Sequence, residues 1–136
     1  MEKLFVDTNI VLDLLQKREE FYKEAQELFT LADKKKVKLF VSSLTIANTY
    51  YLLSRHYDSV NARKIISKFK VLVEILALNS KIIDLALASD LRDFEDAIQL
   101  CTAIENNIYM ILTRNKKDFR NPNIPILTAQ EYLTRI

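Results

Sequence analysis

Leu4-Phe5-Val6-Asp7-Thr8-Asn9-Ile10-Val11-Leu12, continued by Leu14-Leu15, is the stretch that decides the fold. Leu4-Phe5-Val6 reads as a short buried strand, and the run from Ile10 reads as the opening of a helix. Asp7, within Val6-Asp7-Thr8-Asn9, therefore stands where a strand hands over to a helix. In an open parallel sheet that carboxyl end is where ligands bind. A carboxylate there, flanked by Thr8 and Asn9, suits a hard cation. Capping of the helix by Asp7 or Thr8 explains the pair equally well when taken alone. The reading depends on what else converges on the same edge.

Outward from this point, short apolar runs alternate with helical patterns. The first helix opens at Thr8 and breaks near Gln16-Lys17-Arg18. A second runs from about Glu19 to Lys35, with Phe21, Ala25, Leu28, Phe29 and Ala32 spaced by three and four. Val37–Val41 reads as a strand. Ser43 or Thr45 caps a helix extending to about Tyr57, and Asp58 or Ser59 caps the next, through Phe69. Val71–Leu76 is the third strand, and Ser80 opens a helix. Asp93 opens another, in which Phe94, Ala97, Ile98, Cys101 and Ile104 form the apolar face. Tyr109–Leu112 is a fully apolar strand, Asn115–Phe119 a turn or short helix, Pro125–Leu127 an edge strand, and Thr128–Leu133 the last helix. Strands separated by helices imply parallel pairing with right-handed crossovers. The expectation is one α/β domain over 1–136, a three-layer α/β/α sandwich on a parallel sheet of four to five strands.

Composition excludes several chemistries. With no glycine, the Walker A loop, the Rossmann G-x-G-x-x-G turn and the G-x-S-x-G elbow are impossible as written. Left-handed turn positions should fall to Asn and Asp, with Asn79, Asn106, Asn107, Asn115, Asn121 and Asn123 at suitable breaks. The one histidine, His56, reads as a helix C-terminal residue, and the one cysteine, Cys101, as a small core residue that rules out an internal disulfide. A net charge of +2 does not by itself imply a nucleic-acid binder. No apolar stretch approaches the roughly 18 residues that cross a bilayer, and a reducing cytoplasm is the expected home. Tyr50, Tyr51 and Tyr57, with Phe21 and Tyr22, read mainly as core aromatics. Carboxylates are left as the catalytic groups.

Every parallel strand delivers its carboxyl end to one edge. Asp7 follows the first strand, and Ser42-Ser43 the second, with Asn48 one turn into its helix. Thr113-Arg114-Asn115 follows the apolar strand, with Asp118 three residues on. Asp93-Phe94-Glu95-Asp96 opens a helix, and positions 93 and 96 lie about 60° apart around it. An acidic helix start accounts for part of this cluster, but three acids in four residues exceed what capping requires. Clustered carboxylates repel and bind protons more tightly unless a cation neutralises them. Asp7, Asp96 and Asp118, supported by Glu95 and Asp93, suit Mg²⁺ or Mn²⁺. The chemistry such a site performs is phosphodiester hydrolysis by metal-activated water. Arg114, Lys116 and Lys117 are candidates to steer the phosphate backbone, although such a turn also reads as solvated surface.

With these residues assembled, the chain resembles the PIN-domain family, which includes the VapC-like toxin ribonucleases, nearly end to end. The resemblance rests on Val6-Asp7-Thr8-Asn9, on the segment from Ser42 to Leu53, on Asp93-Phe94-Glu95-Asp96-Ala97-Ile98-Gln99, and on Thr113-Arg114-Asn115-Lys116-Lys117-Asp118-Phe119. It implies a Mg²⁺-dependent endoribonuclease, usually dimeric and often neutralised by an antitoxin encoded beside it. The family's first acid falls on Asp7 and its third on Asp96, with Thr8 and Asn9 as polar partners of the first. Two positions depart from the pattern. Asn48 stands where many members carry glutamate, and Asn115 replaces an acid after the last buried strand, with Asp118 as its substitute. Those departures leave open a PIN-like nucleic-acid-binding or protein-interaction module that has lost turnover. A phosphohydrolase using Asp7 as nucleophile ranks last, because Asn9 stands where a second acid is wanted.

Overall fold

The computed structural model describes residues 1–119, 121 and 123–135. Along the chain run β1 (Glu2–Val6), α1 (Thr8–Leu15), α2 (Tyr22–Asp33), β2 (Val37–Ser42), α3 (Ser43–Leu53), α4 (Ser59–Phe69) and β3 (Glu74–Leu76). They are followed by α5 (Ser80–Ala88), α6 (Phe94–Glu105), β4 (Ile111–Leu112), β5 (Ile126–Leu127) and α7 (Ala129–Thr134). The five strands form one parallel sheet in the order β3-β2-β1-β4-β5. The α/β architecture expected from the alternating runs is the observed one.

Alternation along the central strands explains why both faces are covered. Leu4 and Val6, Leu39 and Val41, and Leu112 point into one core, filled by Ile10 and Val11 of α1, Leu28 and Phe29 of α2, Phe69 of α4 and Tyr132 of α7. Phe5, Phe40 and Ile111 point the opposite way, against Leu100 and Ala103 of α6 and Phe119. Ile82 and Ala86 of α5 extend that layer over Ala97 and Ile98. Burial on both faces is why these strands read as continuous apolar runs.

The connection from β1 to β2 and β3 proceeds to one side of β1, whereas β4 lies on the other. The order therefore reverses at β1, and the crevice between the carboxyl ends of β1 and β4 is the position where such sheets bind ligands. Phe5 N–H donates to the Met110 carbonyl and Asp7 N–H to the Leu112 carbonyl, both at 2.9 Å, so this seam is closed up to Asp7 itself.

Several boundaries differ from the sequence reading. The third strand begins at Glu74, because α4 runs on into a 3₁₀ turn at Lys70–Leu72 that leaves Val71 80% exposed. Ser42, one residue before the expected pair, caps α3, whereas α5 opens at Ser80 as expected, with Asn79 as its cap. Phe94 is 44% exposed instead of facing the core. Tyr51 and Tyr57 are likewise on the surface, not packed inside.

Among the described residues the left-handed conformations fall to Asn107 (φ 58°), Lys17 (φ 50°) and Lys35 (φ 59°), so two of the three are lysines and not asparagines. The reason is local. Each follows a helix end where the next N–H bonds five residues back: Arg18 to the Asp13 carbonyl, Lys36 to Leu31 and Ile108 to Ala103. This Schellman geometry demands a left-handed residue whatever its identity.

Candidate functional site

Asp7 is the residue on which the carboxyl ends of β1 and β4 meet. Its side chain is only 6% exposed and is the N-cap of α1, with Oδ1 accepting from Thr8 N–H at 2.8 Å. Gln99 Nε2 donates to the same oxygen at 3.3 Å. Oδ2 accepts from Thr113 Oγ1 at 2.8 Å and from Asn9 Nδ2 at 3.1 Å. Thr113 Oγ1 in turn accepts from Asn115 N–H at 3.0 Å, so its proton is directed to Asp7. Asn9 Oδ1 accepts from Arg114 N–H at 3.3 Å and fastens the segment after β4 to α1. Burial pushes the Asp7 carboxyl above its ordinary value, and the bonds from Thr113, Thr8 and Gln99 pull it back in part.

Gln99 is the residue that sequence reasoning missed. From α6 its amide also donates to Thr45 Oγ1 at 2.8 Å and approaches Thr8 Oγ1 at 3.3 Å, while its carbonyl accepts from Ser42 Oγ at 2.6 Å. Thr8 and Thr45 hydroxyls lie 2.8 Å apart. One buried amide therefore joins the starts of α1 and α3, the end of β2 and the body of α6. The available signal was its place three residues after Asp96, which puts both on one face of α6.

Around Asp7 opens a cleft of about 550 Å³. Thr8 and Asn9 line it from α1, Asn48 and Tyr51 from α3, Asp93, Glu95 and Asp96 from the start of α6, and Asn115 and Asp118 from the segment after β4. The acids that lie far apart in sequence thus share one wall. Asp93 is the N-cap of α6, with Oδ1 accepting from Asp96 N–H at 3.0 Å, so capping and clustering coexist. The Asp96 carboxyl is pushed up to about 7 by burial first and then by the charges of Asp93, Asp7, Asp118 and Glu95.

These are oxygen donors under mutual repulsion, the electrostatic condition that a hard divalent cation relieves. Among the described residues no three acidic, histidine or cysteine side chains form a ready-made cage. Ions of the Mg²⁺ type take oxygen ligands, commonly one or two carboxylates, and keep several waters. Asp7, Asp96 and Asp118 line the same cleft as Asn48, whose amide carbonyl is a neutral oxygen donor.

The three basic residues after β4 are distributed differently from the expectation. Arg114 is turned away from the acidic cleft: its Nε and Nη2 donate to Asp13 at 2.8 and 3.1 Å, and its guanidinium lies 4.0 Å from the Phe21 ring centroid. Asp13, 1% exposed, also faces Arg18 Nη1 at 3.6 Å. Lys116 pairs with Glu131 of α7 at 2.9 Å. Lys117 alone of the three borders the acids, in an adjoining hollow with Arg92, Asp93, Asp96 and Asp118.

Comparison with known proteins accords with this arrangement. The sequence signature of the PIN domain matches residues 3–117. The protein named Ribonuclease VapC1 from Aquifex aeolicus (strain VF5) is 30% identical over 142 residues, spanning 98% of this chain and 95% of that protein. In the crystal structure of VapBC2 from Rickettsia felis bound to a DNA fragment from their promoter, the matching chain superimposes with a TM-score of 0.68 at 24% identity, covering 91% of this chain and 96% of that one. The DNA-bound VapBC structure from Salmonella typhimurium gives 0.71 at 18% identity, over 95% and 99%. With the signature spread over most of its length and a relative of this identity along nearly all of it, the chain belongs to the PIN-domain family.

Proposed function

We propose that the chain is a divalent-metal-dependent endoribonuclease acting as the toxin of a toxin–antitoxin pair, with residues 1–136 working as one unit. The observation that carries the reading is the shared cleft of Asp7 and Asp96, in which their repulsion helps to push the Asp96 carboxyl up to about 7. A 30% identical relative that bears the name of a ribonuclease supports the reaction class, and structures of toxin–antitoxin assemblies with the same fold support a protein partner.

Bound Mg²⁺ or Mn²⁺ supplies a water nucleophile at neutral pH and stabilises charge on the phosphate. The chain's residues do the rest. Thr113, Thr8 and Gln99 orient the Asp7 carboxylate and leave it no freedom to rotate. Asp96, whose carboxyl is pushed up to about 7 in the metal-free cleft, gives up its proton when a cation is bound beside it. Lys117 and Arg92, at the border of the cleft, offer charge to the RNA backbone. RNA is the substrate, a small antitoxin is the partner, and two copies of the chain form the working assembly in a cytoplasmic setting. No helix among the described residues is long and apolar enough to cross a membrane.

The test is cleavage of single-stranded and structured RNA by the purified chain with Mg²⁺ or Mn²⁺ and then with chelator. Cleavage that vanishes with chelator, and in Asp7→Asn and Asp96→Asn, is the expected result. Cleavage by folded Asp96→Asn at the wild-type rate refutes the assignment. A second reading rests on Asn48 and Asn115, which line the cleft without charge: a module that binds RNA and does not turn it over. RNA binding without metal-dependent cleavage in the same assay selects it.

A further inference from the structure

Tyr51 is out of character for its surroundings. The cleft is polar and acidic, yet this large ring stands in its wall at 60% exposure. Nor is it a loose side chain. Arg55, in the turn just past the end of α3, lies over the ring with its guanidinium carbon 4.8 Å from the centroid, and its Nη2 donates to the phenol oxygen at 3.1 Å. The cation covers one ring face and holds the phenol by its edge. The ring is thus oriented before any ligand arrives, with large area left in water.

Charge is arranged to match a strand of nucleic acid. Arg55 lies against Tyr51, which is in the cleft wall, while Arg92 and Lys117 stand in the adjoining hollow, which shares Asp93, Asp96 and Asp118 with the cleft. A phosphodiester chain laid across both meets a cation, the carboxylates, and cations again. Aromatic and guanidinium planes beside a backbone track are how unpaired bases are held.

We propose that Tyr51, braced by Arg55, is a stacking subsite for one unpaired nucleotide next to the scissile phosphate of an RNA strand. The inference rests on the ribonuclease reading and assigns to Tyr51 one base-holding place within its cleft. A base in a helix is stacked on both sides and cannot lie on the ring. Binding is carried by the aromatic plane, so the subsite tolerates any base.

The experiment measures binding of a short mixed-sequence single-stranded RNA, and of the same strand in a duplex, by fluorescence anisotropy with Ca²⁺ present. Cleavage of the single strand in Mn²⁺ and Mn²⁺ affinity by calorimetry are measured alongside. In Tyr51→Ala, single-strand affinity should fall about 5- to 100-fold, with Mn²⁺ affinity and melting temperature unchanged. Tyr51→Phe should keep most of the affinity. Arg55→Gln should weaken binding and lower the salt slope by about one. Wild-type affinity in Tyr51→Ala, while the parent chain cleaves RNA, overturns the subsite and leaves the nuclease standing. Tyr51→Ala that keeps its RNA but loses a co-expressed partner protein assigns the ring to a protein interface and also overturns it. A parent chain that neither binds nor cuts RNA in Mn²⁺ sinks both readings.

Discussion

Gln99 donates to Asp7 Oδ1 from 3.3 Å, joining α6 to the end of β1, and the same amide serves Thr45 Oγ1 and accepts from Ser42 Oγ. Gln99 is 3% exposed, so no solvent replaces these bonds. Removing the amide leaves a buried hydroxyl and a buried carboxylate short of partners, at about 1–3 kcal/mol for the unsatisfied groups. Gln99→Leu should therefore lower the chemical-denaturation midpoint by that amount despite adding an apolar side chain. It should also reduce metal affinity by freeing Asp7. A variant as stable as the parent would show that Gln99 is a spectator.

The acidic cleft gives a pH dependence of definite sign. Asp96 in the folded protein holds its proton up to about 7, against a model-peptide value of 3.8, and burial with like charge is the cause. A carboxyl with a raised folded pKa favours folding most when protonated. Its contribution is full below about 4 and is lost as pH rises through 7. Metal-free protein should accordingly lose stability from this group between pH 4 and 7. Asp96→Asn should abolish that loss, so the variant melts higher than the parent at pH 7.5 and no higher at pH 4. Divalent metal should compete with the proton: adding Mn²⁺ should raise the melting temperature more at pH 7.5 than at pH 5.5, and cleavage rates should climb toward neutral pH. Parallel pH–melting curves for parent and Asp96→Asn would falsify this account.

Asp13 and Arg114 make a structural pair, not a substrate clamp. Asp13 is almost wholly buried, and Arg114 reaches it through two hydrogen bonds while stacking on Phe21. Breaking a buried pair from one side leaves a charge uncompensated, at about 3 kcal/mol or more. Asp13→Ala should destabilise by that order, and Arg114→Ala by less, because its side chain is 27% exposed. Both should leave the salt dependence of RNA binding unchanged. A reduced salt slope in Arg114→Ala would instead return Arg114 to the phosphate track.

What could be read in advance followed local signals. Asp7 and the Asp93–Asp96 cluster were legible because each sits at an element start, and parallel strands carry their ends to one edge. Asp13 was not, although an acid inside the apolar run Ile10–Leu15 is a signal for a buried partner. A helical period tells which face a residue occupies, not which distant arginine meets it. Gln99 failed for the same reason: its four partners are Asp7 after β1, Thr8 of α1, Ser42 of β2 and Thr45 of α3, tens of residues away. The Val71–Leu76 run misled because apolar residues crowd both a helix end and a strand, and only the pairing of Glu74 with Phe40 decides where the strand begins.

Lys35 bears a cost that the absence of glycine imposes. It occupies the left-handed position after α2 at φ 59°, where a Cβ crowds the following carbonyl. Lys35→Gly should stabilise the fold by about 1 kcal/mol. Lys34→Gly, one residue earlier at φ −81°, offers no such relief and should be neutral or destabilising. Thermal melts of the two variants check the pair; equal shifts would show that the left-handed geometry carries no penalty here.

Asn48 offers a test of whether α3 reaches an ion bound in the cleft. It faces the same space as Asp7 and Asp96 and brings a carbonyl without charge. Affinity for hard cations follows the number of charged ligands, so Asn48→Glu should tighten Mn²⁺ binding by on the order of tenfold, about 1.4 kcal/mol. In metal-free protein the same substitution adds one more carboxylate to a repelling group, and should raise the Asp96 pKa further and lower the melting temperature at pH 7.5. The two effects have opposite signs only if the added carboxylate reaches the ion. Tighter Mn²⁺ binding in calorimetry together with a lower metal-free melting temperature is the expected pattern. A variant that loses stability without gaining metal affinity would place the ion out of reach of α3, leaving Asp7, Asp96 and Asp118 as its only protein ligands.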